Sequence, residues 1–207
     1  MQKHGSGVQI RHDVDETLLT DAMKTGLTQA IINRTHQALV KTGSSGASAV
    51  ICTCSTLGSI AKLLNDTTRP AMPNYMKIDR PIADLTVASG HRIQIVAALA
   101  STLGPTRKLL EGSAAGLKVS PEIETSLIPN IWECFQKGDE QTYHSLIVRY
   151  LKTPSNYPSG YPDIIVLAQA SMAPAAHLCK LIQVPILSSP TTGVMAAIEM
   201  HRRNLLR

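Results

Sequence analysis

The sequence predicts an α/β protein of two pseudo-symmetric lobes, each a short parallel sheet flanked by helices, with the ligand site in the interlobe cleft. Three observations carry that expectation. Short apolar runs of strand length alternate with longer stretches of helical periodicity, which is the pattern of parallel sheets covered by helices. One pattern occurs twice: Ala49-Val50-Ile51-Cys52-Thr53-Cys54-Ser55-Thr56 lies over Ile164-Ile165-Val166-Leu167-Ala168-Gln169-Ala170-Ser171, and each run enters an Ala-containing helix. Both runs end in small polar residues, and ligands of parallel sheets collect outside the carboxyl ends of the strands.

The elements follow in order. From Asp15 to Leu39 apolar residues recur at threes and fours, a helical pattern broken around Gly26 and stopped by Gly43-Ser44-Ser45-Gly46. Ala47 to Thr53 reads as a buried strand, Leu57 to Leu64 as helix, and Pro70 to Pro73 as a turn. Asn74 to Ile78 is a second strand, and Pro81 to Ser89 a helix stopped by Gly90. Arg92 to Leu99 is a strand followed by Ser101-Thr102-Leu103-Gly104-Pro105-Thr106 and a helix through Leu110. Two helices hinged at Gly138-Asp139 fill Ser126 to Leu151, the second of them amphipathic and given no functional role. After a Pro/Ser/Tyr/Gly loop from Pro154 to Pro162 come a strand (Ile164 to Ala168), a helix (Pro174 to Ile182), a strand (Val184 to Leu187) and a last helix from Gly193 to Leu206.

Composition narrows the function classes. The chain has 207 residues, 43% of them hydrophobic and 17% charged, enough for a sizeable core built mainly from aliphatic side chains, since aromatics make up 3%. Its net charge of +5 is scattered, apart from His201-Arg202-Arg203 and Arg207 at the end of the last helix, where cations suit the helix dipole. No stacking aromatics accompany these charges, so no nucleic-acid partner is expected. No apolar run approaches the length that spans a bilayer, and the opening Met1-Gln2-Lys3-His4-Gly5-Ser6-Gly7 is polar and Gly-rich rather than a signal peptide. The expectation is a cytoplasmic protein with no membrane partner. The sequence leaves a homo-oligomer open.

Four cysteines stand at 52, 54, 134 and 179. Their spacing is not that of a disulfide framework, and Cys52-Thr53-Cys54 has no second pair to complete a zinc site, so reduced thiols and no metal are expected. Cys54 lies where a buried strand meets a helix, so its sulfur would face the first unpaired N–H groups of that helix. With the hydroxyls of Ser55 and Thr56, those groups make a cradle for a carboxylate. Ser101 and Thr102 occupy the equivalent loop of the other lobe, and Ser171 opens its helix. From spacing alone, Cys54 is equally well read as a small buried apolar residue. Cys52, Cys134 and Cys179 read as packing residues, and His12, His91 and His177 as surface or capping ones.

The segment Val50-Ile51-Cys52-Thr53-Cys54-Ser55-Thr56-Leu57-Gly58 resembles the first cysteine motif of the aspartate/glutamate racemase superfamily. Ile78-Asp79-Arg80-Pro81 is similar to the linker helix start, Gly90-His91-Arg92-Ile93 to the opening of the second lobe, and Ala97 to Thr106 to a loop of small hydroxyl residues. Val166 to Ala173 and Val184 to Pro190 match the closing part of one subgroup, so the likeness runs from Val14 to Glu199. The resemblance implies lobes at 1–89 plus 191–207 and at 90–190, with the last helix returning to the first lobe. It also implies no metal or organic cofactor. Two departures stand out: Gln169 occupies the position of the racemases' second cysteine, and the usual N-terminal strand has no counterpart in Met1 to Ile10.

Racemisation by two bases needs a titrating group on each face of one carbon. Cys54 can supply one, whereas Gln169 can only donate a hydrogen bond to a carboxylate or a developing enolate. The sequence therefore points to a cofactor-independent racemase or isomerase acting through Cys54 on a small carboxylic acid or amino acid. A non-catalytic small-acid-binding protein of the same fold is the alternative.

Overall fold

The computed structural model describes residues 8–67, 73–157 and 159–205. The Gly-rich start, most of the Pro70–Pro73 turn and the final Arg207 lie outside them. The chain forms two compact units, Met1–Ile78 with Thr191–Arg207, and Asp79–Pro190.

The first unit opens with two amphipathic helices. Asp15 caps α1 (Glu16–Thr25) by accepting the Thr17 N–H, and Gly26 ends it at φ +74, a conformation that costs glycine little. Thr28 caps α2 (Gln29–Gly43). Strand β1 (Ala49–Cys52), helix α3 (Ser59–Thr67) and strand β2 (Asn74–Lys77) follow, and β1 pairs with β2 in parallel. Leu18, Ile31, Leu39, Val50, Ile60, Leu64 and Tyr75 form its core. Helix α9 (Ser189–Leu205) is held to this unit by polar contacts from its last turns: the Asn204 amide donates to Ser48 O at 2.6 Å, and His201 Nδ1 meets Ser48 Oγ at 2.6 Å. A Cβ on Gly193 would collide with the carbonyl oxygen of Ile78, so glycine there allows α9 to lie against the end of β2. Val8–Ile10 form no strand, and among the described residues this sheet has two strands.

The second unit carries a four-stranded parallel sheet in the order β4-β3-β5-β6, formed by β3 (Arg92–Ala97), β4 (Glu122–Leu127), β5 (Ile164–Leu167) and β6 (Ile186–Ser188). Side-chain alternation sends Ile93, Ile95, Ala97, Ile164 and Val166 to one face, against α4 (Arg80–Ser89) and α5 (Ala100–Leu117). Val96, Ala98, Ile165 and Leu167 go to the other face, under α7 (Glu140–Lys152) and α8 (Ala173–Leu178). Helix α7 presents Tyr143, Ile147 and Leu151, four residues apart and all fully buried, so one side of it is core. Ala83 and Val87 of α4 belong to this unit's core, although a division at Ser89 would assign that helix to the first lobe.

The α/β class and the short parallel sheets flanked by helices are as expected. Several boundaries differ. Glu122–Leu127 is an edge strand where the sequence showed none, because Glu122, Glu124 and Ser126 alternate with Ile123, Thr125 and Leu127, leaving no continuous apolar run, and only β3 pairs with it. The helical stretch expected from Ser126 therefore begins only at α6 (Trp132–Gln136), though the break at Gly138-Asp139 falls between α6 and α7 as expected. Helix α5 runs to Leu117 rather than Leu110, and α3 starts at Ser59 rather than Leu57.

Candidate functional site

In the first unit the ladder ends where the Ile78 N–H donates to Cys52 O at 3.0 Å. Thr53 and Cys54 lie just beyond it. The chain then coils through a turn at residues 55–58, closed by the Gly58 N–H donating to Cys54 O at 2.9 Å, before α3 begins. Cys54 is thus on a helical turn leading into α3, one turn earlier than a cysteine at the helix start itself. Its thiol is half-buried and packs at the margin of the first core, while Cys52 is buried within it. Thr56 is buried and Ser55 half-buried on the same turn. The first N–H groups of such a turn have no acceptor within it, which makes this end of β1 suited to an anion.

In the second unit the carboxyl ends of β3 and β5 are tied together. Gln169 follows β5, is 9% exposed, and its Oε1 accepts the Ala98 N–H at 2.7 Å. That bond fixes the amide orientation, because only the oxygen can accept. It leaves Nε2 as a donor that is buried and without a hydrogen-bond partner among the described residues. Ala98 leads into α5, where Ser101 Oγ is likewise buried and unpartnered, whereas Thr102 Oγ1 donates to Leu99 O at 2.8 Å within its own turn. Ser171 lies on a 3-10 turn (Ala170–Met172).

Two residues of α7 that sequence reasoning passed over secure that turn. The Tyr143 hydroxyl meets Ser171 Oγ at 3.0 Å, and His144 Nε2 meets Ser171 O at 3.0 Å. A carbonyl only accepts, so His144 donates from Nε2. Burial raises the Tyr143 phenol above its ordinary value, opposed by the bond to Ser171, so it stays neutral and able to donate near pH 7. The chain's one Trp and one Phe extend this wall: Trp132 to Phe135 at 5.0 Å, Phe135 to Tyr143 at 5.3 Å, and Tyr143 to His144 at 5.4 Å between ring centres.

The structure therefore gathers Cys54, Ser55 and Thr56 on one turn of the first unit. In the second unit it gathers Gln169, Ser171, Ser101 and Thr102 at the ends of two neighbouring strands and on the turns that follow them. Among the described residues no cluster of three His, Cys, Asp or Glu side chains is placed to hold a metal ion. None of their helices is long and apolar enough to cross a membrane.

The fold has solved counterparts. The chain superimposes on a glutamate racemase from Bacillus anthracis with a TM-score of 0.59 at 13% identity, over 84% of this chain and 67% of that one. A protein described as an Asp/Glu racemase from Yersinia pestis gives a TM-score of 0.59 at 14% identity, over 93% and 81%. The fold is that of the aspartate/glutamate racemases. An allantoin racemase from Klebsiella pneumoniae matches with a TM-score of 0.50 at 18% identity, covering 84% of this chain, which spans 66% of that enzyme's length. No protein-family model and no curated protein sequence matches the chain.

Three residues near the strand ends escaped sequence reasoning. Tyr143 and His144 gave only an amphipathic pattern, since their contact with Ser171 spans 28 and 27 residues. Lys77 did leave a signal, a lysine at the end of the otherwise apolar Tyr75-Met76-Lys77-Ile78.

Proposed function

We propose that this chain is a cofactor-independent isomerase of the racemase type that acts on a small carboxylic acid or amino acid through the Cys54 thiol. The observation that carries the reading is the position of Cys54, half-buried on the turn that ends β1, in a fold shared with glutamate racemase. Ionised Cys54 would take the proton from the carbon next to the ligand's carboxyl or carbonyl group. The C–H electron pair would then move into that group as an enolate, and return of the proton to carbon would complete the exchange. Ser55 and Thr56 would hold the carboxylate on the turn after β1. Gln169 would donate Nε2–H to the oxygen that gains charge, supplying electrostatic stabilisation rather than a second base. Ser101, Thr102 and Ser171 would complete the polar lining around it, with Thr102 acting as an acceptor because its hydrogen is already committed.

The test is solvent exchange. A panel of amino acids, hydantoins and small dicarboxylates is incubated with the protein in D2O and followed by proton NMR. Loss of a C–H signal on at least one compound, abolished in Cys54→Ser, is the expected result. Saturable binding with no exchange on any compound would favour the non-catalytic acid-binding protein instead.

A further inference from the structure

Lys77 ends β2 in register with Cys52 and is 9% exposed. Lysine is seldom buried to that extent, because an ammonium leaves water at high cost unless an anion meets it. The residue that makes room for it is Gly58. A Cβ at Gly58 would stand 2.5 Å from Lys77 Cγ, 2.8 Å from Lys77 Cδ and 2.9 Å from the carbonyl oxygen of Cys54. The lysine stem and the Cys54 main chain thus converge on one point of the turn, and any side chain at 58 would displace the stem. Lysine stems lie along protein surface and carry the charge at their tip.

We propose that Lys77 is the specificity-determining residue of the Cys54 turn, its ammonium selecting ligands that carry a carboxylate over neutral ones. This rests on the reading of Cys54 as the reactive centre, and it adds a cation to a cradle so far built from N–H groups and hydroxyls. Among the described side chains, the other ionisable groups on β1, β2, α2 and α3 are Cys52, Tyr75 on β2, Lys62 on α3, and Arg34, His36 and Lys41 on α2. Cys52 is buried, whereas the last four are exposed, with Arg34 held by Asp21 at 2.6 Å. Asp79, two residues after Lys77, is buried.

Two alkylating reagents read the local charge at the sulfur. Iodoacetate and iodoacetamide both form an S–C bond with the same ionised thiol and release iodide, but one is an anion and the other neutral. Their rate ratio at one pH is therefore independent of how much of the thiol is ionised. The reference is Cys54 in the urea-unfolded chain, with modification followed by peptide mass spectrometry. The folded wild type is expected to favour iodoacetate by roughly three- to tenfold over that reference at low salt. The preference should shrink as salt is added, and should vanish in Lys77→Met and Lys77→Gln variants that keep the native circular dichroism spectrum. A wild-type ratio equal to the unfolded reference, or insensitive to salt, would overturn the proposal without need of any variant. A raised ratio that persists in either folded variant would overturn it too. Failure of the Cys54 reading itself would show elsewhere, as C–H exchange that survives in Cys54→Ser.

Discussion

The side-chain oxygen of Gln169 accepts the backbone N–H of Ala98 at 2.7 Å, linking the end of β5 to the end of β3. The resemblance read from the sequence implies a second cysteine at this position. A glutamine there does two things a thiol does not: it satisfies a buried main-chain donor, and it holds its own Nε2 in a fixed place.

Removing that acceptor should cost stability. Gln169→Leu keeps a side chain of similar size but strands the Ala98 N–H, an expected loss of about 1–3 kcal/mol. Gln169→Glu retains an oxygen and should lose less near neutral pH. Urea denaturation of both variants measures the difference, and equal stabilities would mean the Ala98 bond contributes nothing.

The contact between Tyr143 and Ser171 should be measurable in the same way. Tyr143→Phe removes the hydroxyl at 3.0 Å from Ser171 Oγ and should destabilise by about 1 kcal/mol. Ser171→Ala should cause little further loss once Tyr143 is Phe, so a double-mutant cycle is expected to show coupling. Trp132 fluorescence reports the unfolding, since it is the only tryptophan. Additive effects would argue against the bond.

How much of this was legible in the sequence depends on how far apart the partners lie in the chain. Cys54 and Gln169 stand out as candidates because each closes a local pattern, an apolar run ending in small polar residues. The partner of Gln169 does not, since it is the main-chain N–H of Ala98, 71 residues away and carrying no side-chain signature. Tyr143 and His144 were hidden for a related reason: the helical pattern shows that one face of α7 is buried, not what it is buried against. The strand Glu122–Leu127 was missed because an edge strand whose polar residues alternate with Ile123 and Leu127 lacks the apolar run by which β3 and β5 announce themselves. Lys77 was visible but was absorbed into a strand, and only the approach of its stem to Gly58 gives it meaning.

Acid should loosen the start of the second sheet. Asp163 accepts the N–H groups of Arg92 at 2.8 Å and His91 at 3.0 Å, and these bonds hold its carboxyl below the ordinary carboxylate range. A depressed pKa contributes stability above the unfolded value of about 4, and loses it as pH falls through the folded value. Asp163→Asn should therefore lower the melting temperature at pH 7 and make progressively less difference below about pH 4. A deficit that is the same at both pH values would show that the charge on Asp163 is not what matters.

Replacing Gln169 by Cys should trade a hydrogen-bond donor for a proton carrier. If Gln169 stands where a second base would, Gln169→Cys should raise deuterium uptake on at least one amino acid, by a modest factor because the new thiol lacks tuned surroundings. It should also lose stability, since Ala98 N–H no longer has its carbonyl partner. Unchanged uptake in a variant that still folds would count against a role for this position in proton transfer.

Cys54 itself admits the most direct test. The protein is titrated with iodoacetamide, and peptide mass spectrometry gives the alkylated fraction of each of its four cysteines. C–H exchange on a responsive acid is measured at every point. Residual exchange is expected to fall in direct proportion to unmodified Cys54, to reach zero when Cys54 is fully alkylated, and to show no dependence on Cys134. Exchange that persists with Cys54 fully alkylated would contradict its assignment as the reactive centre.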